Sequence, residues 1–355
     1  MTKFSKGRTA IALSGGVDSS TAGALLLEEG REVVGITLQL HGASTEGLEQ
    51  AETAARHLGI QHFVLNLTDD FEKLVLRPAW KEYILGRTPC PCMRCNERIK
   101  FGILMDWALE NGCSALATGH YAIVASEGGQ ARLLRGRDKN KDQSYFLAGL
   151  SQERLSHSVF PLGSLEKRQV RKKAAELGLP CAERKESQDI CFVMPGMSFP
   201  ETLQAHFGDI SVQSKGFIID WEGRQLAQHE GIHNFTIGQR RGVRVGTGTR
   251  AWVCRLDAAT GSVYLTNAEE DLLCEEITVS DLSWTTSEPP AMPMECEVQV
   301  RYRSVPTAAS LTNFSDGCGR LDFRQPVRSA APGQAAVFYN GDMVIGRGYI
   351  HQTFR

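Results

Sequence analysis

No apolar run in this 355-residue chain approaches the ~20 residues that a membrane-spanning helix needs. The basic N-terminus, Met1–Arg8, is followed by an apolar run, Thr9–Leu13, too short for the core of a secretory signal. The sequence therefore reads as a cytoplasmic protein with no membrane partner. Charge of one sign is lacking too: 39 Lys and Arg stand against 41 Asp and Glu, a net of −2. The chain as a whole is not a polycation built to coat nucleic acid. Repeats and low-complexity segments are absent, which excludes solenoids. What remains is an ordinary globular composition, 42% hydrophobic and 23% charged, at a length that fits two or three domains. Basic residues do gather locally, at Lys167, Arg168, Arg171, Lys172 and Lys173, and again at Arg240, Arg241, Arg244, Arg250 and Arg255. Such groups are either phosphate-binding faces or solvated ones.

The most informative stretch is Ser14-Gly15-Gly16-Val17-Asp18-Ser19-Ser20. It follows the buried-strand pattern Thr9–Leu13 and precedes a helical pattern from Thr21. A glycine turn between strand and helix aims free backbone N–H groups and the positive end of the helix dipole at one point, which is an anion site. There is no Lys after the glycines, so this is not the loop that holds a γ-phosphate in P-loop NTPases.

From residue 9 to about 125 strand and helix patterns alternate: strands at Val33–Leu38, His62–Leu67 and Ser114–Thr118, helices over 48–58, over 70–85 with an interruption near Pro78, and over 97–111. This order predicts an α/β domain with a doubly wound parallel sheet. Helices continue over 166–178 and 198–207. Beyond about 210 short β-rich runs separated by Gly and Pro predict two small β domains. The expected division is 1–208, 209–276 and 277–355.

Ten cysteines in a reducing compartment do not read as a disulfide framework. Cys113, Cys181, Cys254, Cys274, Cys296 and Cys318 read as small core residues. Thr88-Pro89-Cys90-Pro91-Cys92-Met93-Arg94-Cys95 is different. Its two prolines predict an extended segment, with a helix starting just after Cys95 and lowering that thiol's pKa. Cys191 lies in Glu186-Ser187-Gln188-Asp189-Ile190-Cys191. Three chemistries fit: catalytic thiols at Cys95 and Cys191; a 4Fe–4S cluster on Cys92, Cys95 and Cys191; or a structural zinc on three or four of these cysteines. Plain packing is the alternative to all three.

Taken together with Ala117–Tyr121, Asp138–Leu147, His233–Gly242, Arg301-Tyr302-Arg303 and Ala331–Tyr339, these motifs resemble, in order, the tRNA-specific 2-thiouridylases. These are PP-loop ATP pyrophosphatases with an adenine nucleotide alpha-hydrolase-like domain. The resemblance implies a PP-loop domain, a central β domain and a C-terminal β-barrel. It also implies ATP-dependent 2-thiolation of the wobble uridine in tRNAs for Lys, Glu and Gln, with Mg²⁺ and sulfur from a donor protein or inorganic sulfide. By position, Ala12, Leu13, Ser14, Gly15, Gly16, Val17, Asp18, Ser19, Leu38 and Gly119 would bind ATP, Asp18 helping to hold Mg²⁺. Cys95 and Cys191 would be catalytic, the latter carrying persulfide. His120, Lys141, Asp142, Gln143, Arg301, Tyr302 and Gln334 would touch tRNA. Cys90, Pro91 and Cys92 stand where many members carry Asn-Pro-Asp against the target base, and this change favours a metal or cluster ligand. Two rivals remain: a PP-loop enzyme adenylating a different tRNA base, and a catalytically silent tRNA-binding protein.

Overall fold

The computed structural model describes residues 7–40, 45–184, 192–194, 196–208, 215–243, 245–246, 248–315 and 317–354. Thr9–Ala12 (β1) leads through the glycine turn into Val17–Glu28 (α1), followed by Val33–Gln39 (β2), Thr45–Leu58 (α2) and Gln61–Asn66 (β3). A long helical path follows: Thr68–Phe71 (α3), a π-helical stretch Glu72–Leu76, and Arg77–Ile84 (α4). The irregularity expected near Pro78 is this π stretch, which widens the turn just ahead of the proline ring. A second path runs through Pro91–Cys95 (α5), a π stretch Asn96–Leu104, and Met105–Glu110 (α6) into Ala115–Ala117 (β4). Ala122–Glu127 (β5) and Gln130–Arg135 (β6) form a hairpin, and Gln152–Ser156 (α7), Ser158–Val159 (β7), Lys167–Glu176 (α8) and Phe199–Phe207 (α9) complete this part. Among the described residues no helix is long and apolar enough to cross a membrane.

The parallel sheet has the order β3-β2-β1-β4-β7. Strands β2 and β3 run outward on one side of β1, and β4 returns to its other side. The order therefore reverses between β1 and β4, and a crevice opens at their carboxyl ends. Strand β2 is buried over its first five residues because helices cover both faces of the sheet.

The central β domain is a four-stranded sheet of Gly216–Ile219 (β8), Gln225–His229 (β9), Trp252–Asp257 (β10) and Ser262–Thr266 (β11), in the order β10-β11-β8-β9. The last part contains Leu273–Trp284 (β12), Met294–Gln299 (β13), Thr307–Ser315 (β14), Cys318–Arg328 (β15), Ala335–Asn340 (β16) and Met343–Phe354 (β17). These run in the order β12-β15-β14-β13-β16-β17, and pairing of β12 with β17 closes the barrel. The β5–β6 hairpin joins the barrel's sheet through Met343 and Leu134. Its turn, Gly128-Gly129, uses positive φ at both residues, as a tight hairpin demands.

One apolar core runs from the parallel sheet into the barrel. It includes Ala10, Val34 and Leu116 of the sheet, Phe101 and Leu104 of the helical path, and Val337 and Tyr339 of β16. Polar contacts lock the same seam. Arg347 on β17 forms a two-pronged pair with Glu97, Nε to Oε1 at 3.0 Å and Nη2 to Oε2 at 3.1 Å, with side chains only 4% and 9% exposed. Glu97 fits because residue 149 is glycine: a Cβ there would overlap its carboxylate. Gln334 Nε2 donates to the carbonyls of Thr88 and Pro89, the Thr88 N–H donates to the Pro332 carbonyl, and Tyr145 donates to the Ala335 carbonyl.

Removing one partner of a buried ion pair strands the other charge, so Arg347→Ala should lower unfolding free energy by about 3–5 kcal/mol. Denaturant titration of the full chain checks this. A loss below about 1 kcal/mol, the level of a surface pair, would contradict it.

Candidate functional site

The glycine loop sits at the sheet's crevice. The Leu13 N–H donates to the Ile36 carbonyl at 2.8 Å, ending β1 in register with β2. Gly15 then takes φ +71°, and a Cβ there would lie 2.6–2.7 Å from Gln50 and Ala51 of α2, so no other residue fits. Gly16 is the N-cap of α1 and supplies no side chain. The backbone N–H groups of Val17, Asp18 and Ser19 therefore have no carbonyl one turn behind them, and Ser20 is the first to reach back, to Gly16. The serines brace this cradle: the Ser14 N–H donates to Ser19 Oγ at 3.1 Å, and Ser19 Oγ donates to the Gly16 carbonyl at 3.2 Å. Ser20 is fully buried and faces the core, so it does not add a donor to the loop.

Gly119, just after β4, closes the other side. A Cβ at 119 would stand 2.9 Å from backbone atoms of Asp18 and Ser19, which brings the end of β4 against the first turn of α1. Leu38 and Ala12, both partly buried, lie at the same end of the sheet. The Asp18 carboxylate accepts hydrogen bonds from Lys167 Nζ, at 2.7 Å to each oxygen, and from the Tyr121 hydroxyl at 2.7 Å. Arg184 Nη1 donates to the Gly15 carbonyl at 3.3 Å. Lys167 and Tyr121 are absent from the site residues read off the sequence. The basic run at 167–173 does contain Lys167, but helix periodicity treats it as one more solvated cation.

The cysteine segment departs from its expected form. It is not extended up to Cys95: α5 begins at Pro91, with proline in its favoured first helical turn and Cys90 at the N-cap. Cys92, not Cys95, therefore stands in the first turn. Cys92 is partly exposed, and Cys95 is buried one turn further on. Cys90 points into the core, where burial pushes its thiol up to about 12. Cys90 also lines a cavity together with Pro91 and Arg94. Cys95 belongs to an apolar cluster with Trp80, Ile99 and Phe192. Cys191 and residues 186–190 lie outside the described residues. Among the described residues no three His, Cys, Asp or Glu side chains gather as a metal site, so Cys90, Cys92 and Cys95 alone do not form one.

The residues expected at tRNA fall into two groups. In the first, Arg303 Nη2 donates to the Asn140 carbonyl at 3.3 Å, which sets the turn containing Lys141 beside the loop of Arg301 and Tyr302. Tyr302 packs on Phe146 with ring centroids 4.4 Å apart, and Arg301 Nη2 donates to the Ile237 carbonyl at 2.6 Å. The second group is engaged inside the protein. Asp142 accepts from the N–H groups of Gly136 and Ser144 and pairs with Arg135. Gln143 Oε1 accepts from the Tyr121 N–H. His120 is buried against Phe101 and Phe160, its Nδ1 2.7 Å from Thr118 Oγ1, and burial holds its pKa well below the ordinary value, so the ring is neutral. Gln334 is taken up by the Thr88–Pro89 carbonyls. In the central domain, Arg240 and Arg250 are exposed and line an open hollow of about 650 Å³.

Three family models cover the chain. One described as the tRNA methyl transferase HUP domain matches residues 7–195, a tRNA methyl transferase PRC-barrel domain matches 204–267, and an aminomethyltransferase beta-barrel domain matches 274–350. The tRNA-specific 2-thiouridylase MnmA of Trichormus variabilis is 41% identical over 352 residues, covering 97% of this chain and 99% of its own. The proteins of the same name from Synechococcus sp. (strain JA-2-3B'a(2-13)) and Chloroflexus aurantiacus are each 42% identical, covering 98% and 96% of this chain and 95% and 97% of theirs.

The burial of Cys90 sets a testable order of thiol reactivity. Its thiol ionises near 12 when folded and near the ordinary ~8.5 when unfolded. Its contribution to stability is therefore complete below about pH 8.5 and is lost as pH climbs toward 12. Iodoacetamide at pH 8 should label Cys92 at least about a hundredfold faster than Cys90 in the native protein, read by mass spectrometry of the Cys90–Cys95 peptide. Equal labelling of both would contradict the packing of Cys90.

Proposed function

The chain belongs to the tRNA-specific 2-thiouridylase family, and on that premise we propose that it replaces O2 of a tRNA wobble uridine with sulfur, using ATP, in tRNAs for Lys, Glu and Gln. The observation that carries this reading is sequence identity of about two-fifths running through all three domains. The crevice between β1 and β4 supports it, because the N–H groups of Val17, Asp18 and Ser19 suit an anion of the size of pyrophosphate.

In this reading tRNA is held mainly through its phosphates. Lys141 and Tyr302 lie toward the nucleic acid, with Asp142, Gln143, His120, Arg301 and Gln334 stiffening or completing that surface. The uridine flips toward the crevice, as base-modifying enzymes require. Its O2 attacks the α-phosphorus of ATP, and the α–β bridging bond breaks with its electron pair leaving on pyrophosphate. The Mg²⁺ that travels with ATP would meet Asp18, and the adenine would lie against the backbone at Leu38 and Gly119. Sulfur then attacks C2 and AMP departs with the old O2. In the thiol version, Cys191 carries the sulfur as persulfide. Cys95 attacks the inner sulfur, leaving the outer one on C2 and a Cys95–Cys191 disulfide, which a thiol reductant reopens. The donor is a persulfide-carrying protein, or inorganic sulfide that attacks the Cys191 sulfur of the Cys95–Cys191 disulfide, returning the Cys191 persulfide and releasing the Cys95 thiolate.

Cys92 and Cys95, one helical turn apart, also suit neighbouring positions on iron. With Cys191 they would hold a 4Fe–4S cluster, whose iron lacking a cysteine ligand supplies a place for sulfide. A zinc site on the same three residues would supply structure only.

Purified protein given ATP, unmodified tRNA and sulfide should form 2-thiouridine with matching AMP and pyrophosphate. Intact ATP beside bound tRNA would instead identify a silent binding protein, and AMP without thiolated uridine a different adenylating enzyme. Anaerobic preparation separates the two sulfur routes. Iron, labile sulfide and loss of activity in Cys92→Ala assign the cluster; a colourless, iron-free protein, active in that variant, assigns the thiols.

A further inference from the structure

The basic run at 167–173 splits in a way that helix periodicity does not explain. Arg168 and Lys172 are solvated, with side chains 90% and 79% exposed, while Lys167 is 12% exposed. Lys167 is the first residue of α8. Its N–H donates to Asp138 Oδ2 at 3.0 Å, and the capping box of Glu166 and Gln169 fixes the helix start. A side chain at this position leans back over the helix end instead of lying on the flank. Here it crosses to α1 and meets both oxygens of Asp18.

Asp18 also contributes its backbone N–H to the cradle. Covalent geometry keeps a carboxylate within about 4 Å of its own nitrogen, so the Lys167 ammonium stands at the edge of the cradle, within reach of an anion seated there. The Tyr121 hydroxyl fixes the carboxylate from the other side.

Resting on the ATP reading above, we propose that Lys167 is a catalytic residue of the adenylation step, parked on Asp18 in the free protein and transferred to the phosphates when Mg-ATP binds. The carboxylate turns to the divalent cation, and the freed ammonium turns to a non-bridging oxygen of the β- or γ-phosphate. As uridine O2 bonds to the α-phosphorus and the α–β bridging bond breaks, the electron pair arrives on pyrophosphate. The hydrogen bond from Lys167 strengthens in step with that charge. No proton changes hands. The ion pair thus keeps a largely buried cation in place beside the cradle, so that its move to the phosphates is short.

The test is calorimetric binding of inorganic pyrophosphate in the presence of Mg²⁺ to the full-length protein, with AMP formation measured alongside. Lys167→Gln should weaken pyrophosphate binding at least tenfold and slow AMP formation about a hundredfold, and Lys167→Arg should recover part of the binding. A role limited to neutralising Asp18 is separated by the Asp18→Asn background. There, Lys167→Gln should still weaken pyrophosphate binding at least tenfold. Equal affinity of Asp18→Asn and the double variant, both folded by circular dichroism, would overturn the proposal while leaving the ATP reading intact. A wild-type protein that binds neither Mg-ATP nor pyrophosphate would overturn the ATP reading itself, and this inference with it.

Discussion

The structure depends on a buried charge pair that ties the barrel to the helix of the cysteines. Arg347 and Glu97 meet with almost no exposure to water, where neither charge would be tolerated alone. Glu97 follows Cys95 by two residues, so the grip of β17 on Glu97 is also a grip on the helix that presents Cys92 and Cys95. The carbonyls of Thr88 and Pro89, held by Gln334, fix the chain on the other side of the same cysteines. The cysteine segment is therefore clamped at both ends by the barrel, and the parallel sheet lies under it through the shared apolar core.

Around this clamp the two chemistries take fixed places. The anion cradle is a consequence of strand order: β4 returns beside β1, Gly119 closes on α1, and the carboxyl ends of the two strands face one crevice. The Lys167–Asp18 pair stands at its edge. Cys92 and Cys95 come from a different element, α5, which the Arg347–Glu97 pair ties to the barrel. In the proposed reaction the uridine must meet both, and a rigid seam between sheet and barrel makes that meeting reproducible from one turnover to the next.

Much of this is legible in the residues. Thr9–Leu13 and Val33–Leu38 announce central parallel strands because both their faces are apolar, and Gly15-Gly16 announces the turn between strand and helix. Other parts depend on partners far away in the chain. The Gly128-Gly129 turn marks a hairpin, but its attachment to the barrel rests on the meeting of Leu134 with Met343. The break in the helical path over 96–104 centres on Gly102, whose backbone at φ −95°, ψ −106° leaves the helical region and where a Cβ would stand 3.0 Å from the Glu97 carbonyl. Proline reads as a helix breaker before Cys95, yet Pro91 starts the helix because a first-turn proline forfeits no hydrogen bond. Periodicity misplaces Lys167 for a related reason: at the end of a helix the side chain answers to what lies beyond the end.

The central claim is that the ATP site activates a uridine oxygen for replacement. The most direct measurement is the fate of that oxygen. A tRNA carrying ¹⁸O at O2 of its wobble uridine, turned over with ATP and a sulfur source, should yield 2-thiouridine and AMP with one ¹⁸O in its phosphate. AMP free of label, with the label in water or still in the tRNA, would contradict the account.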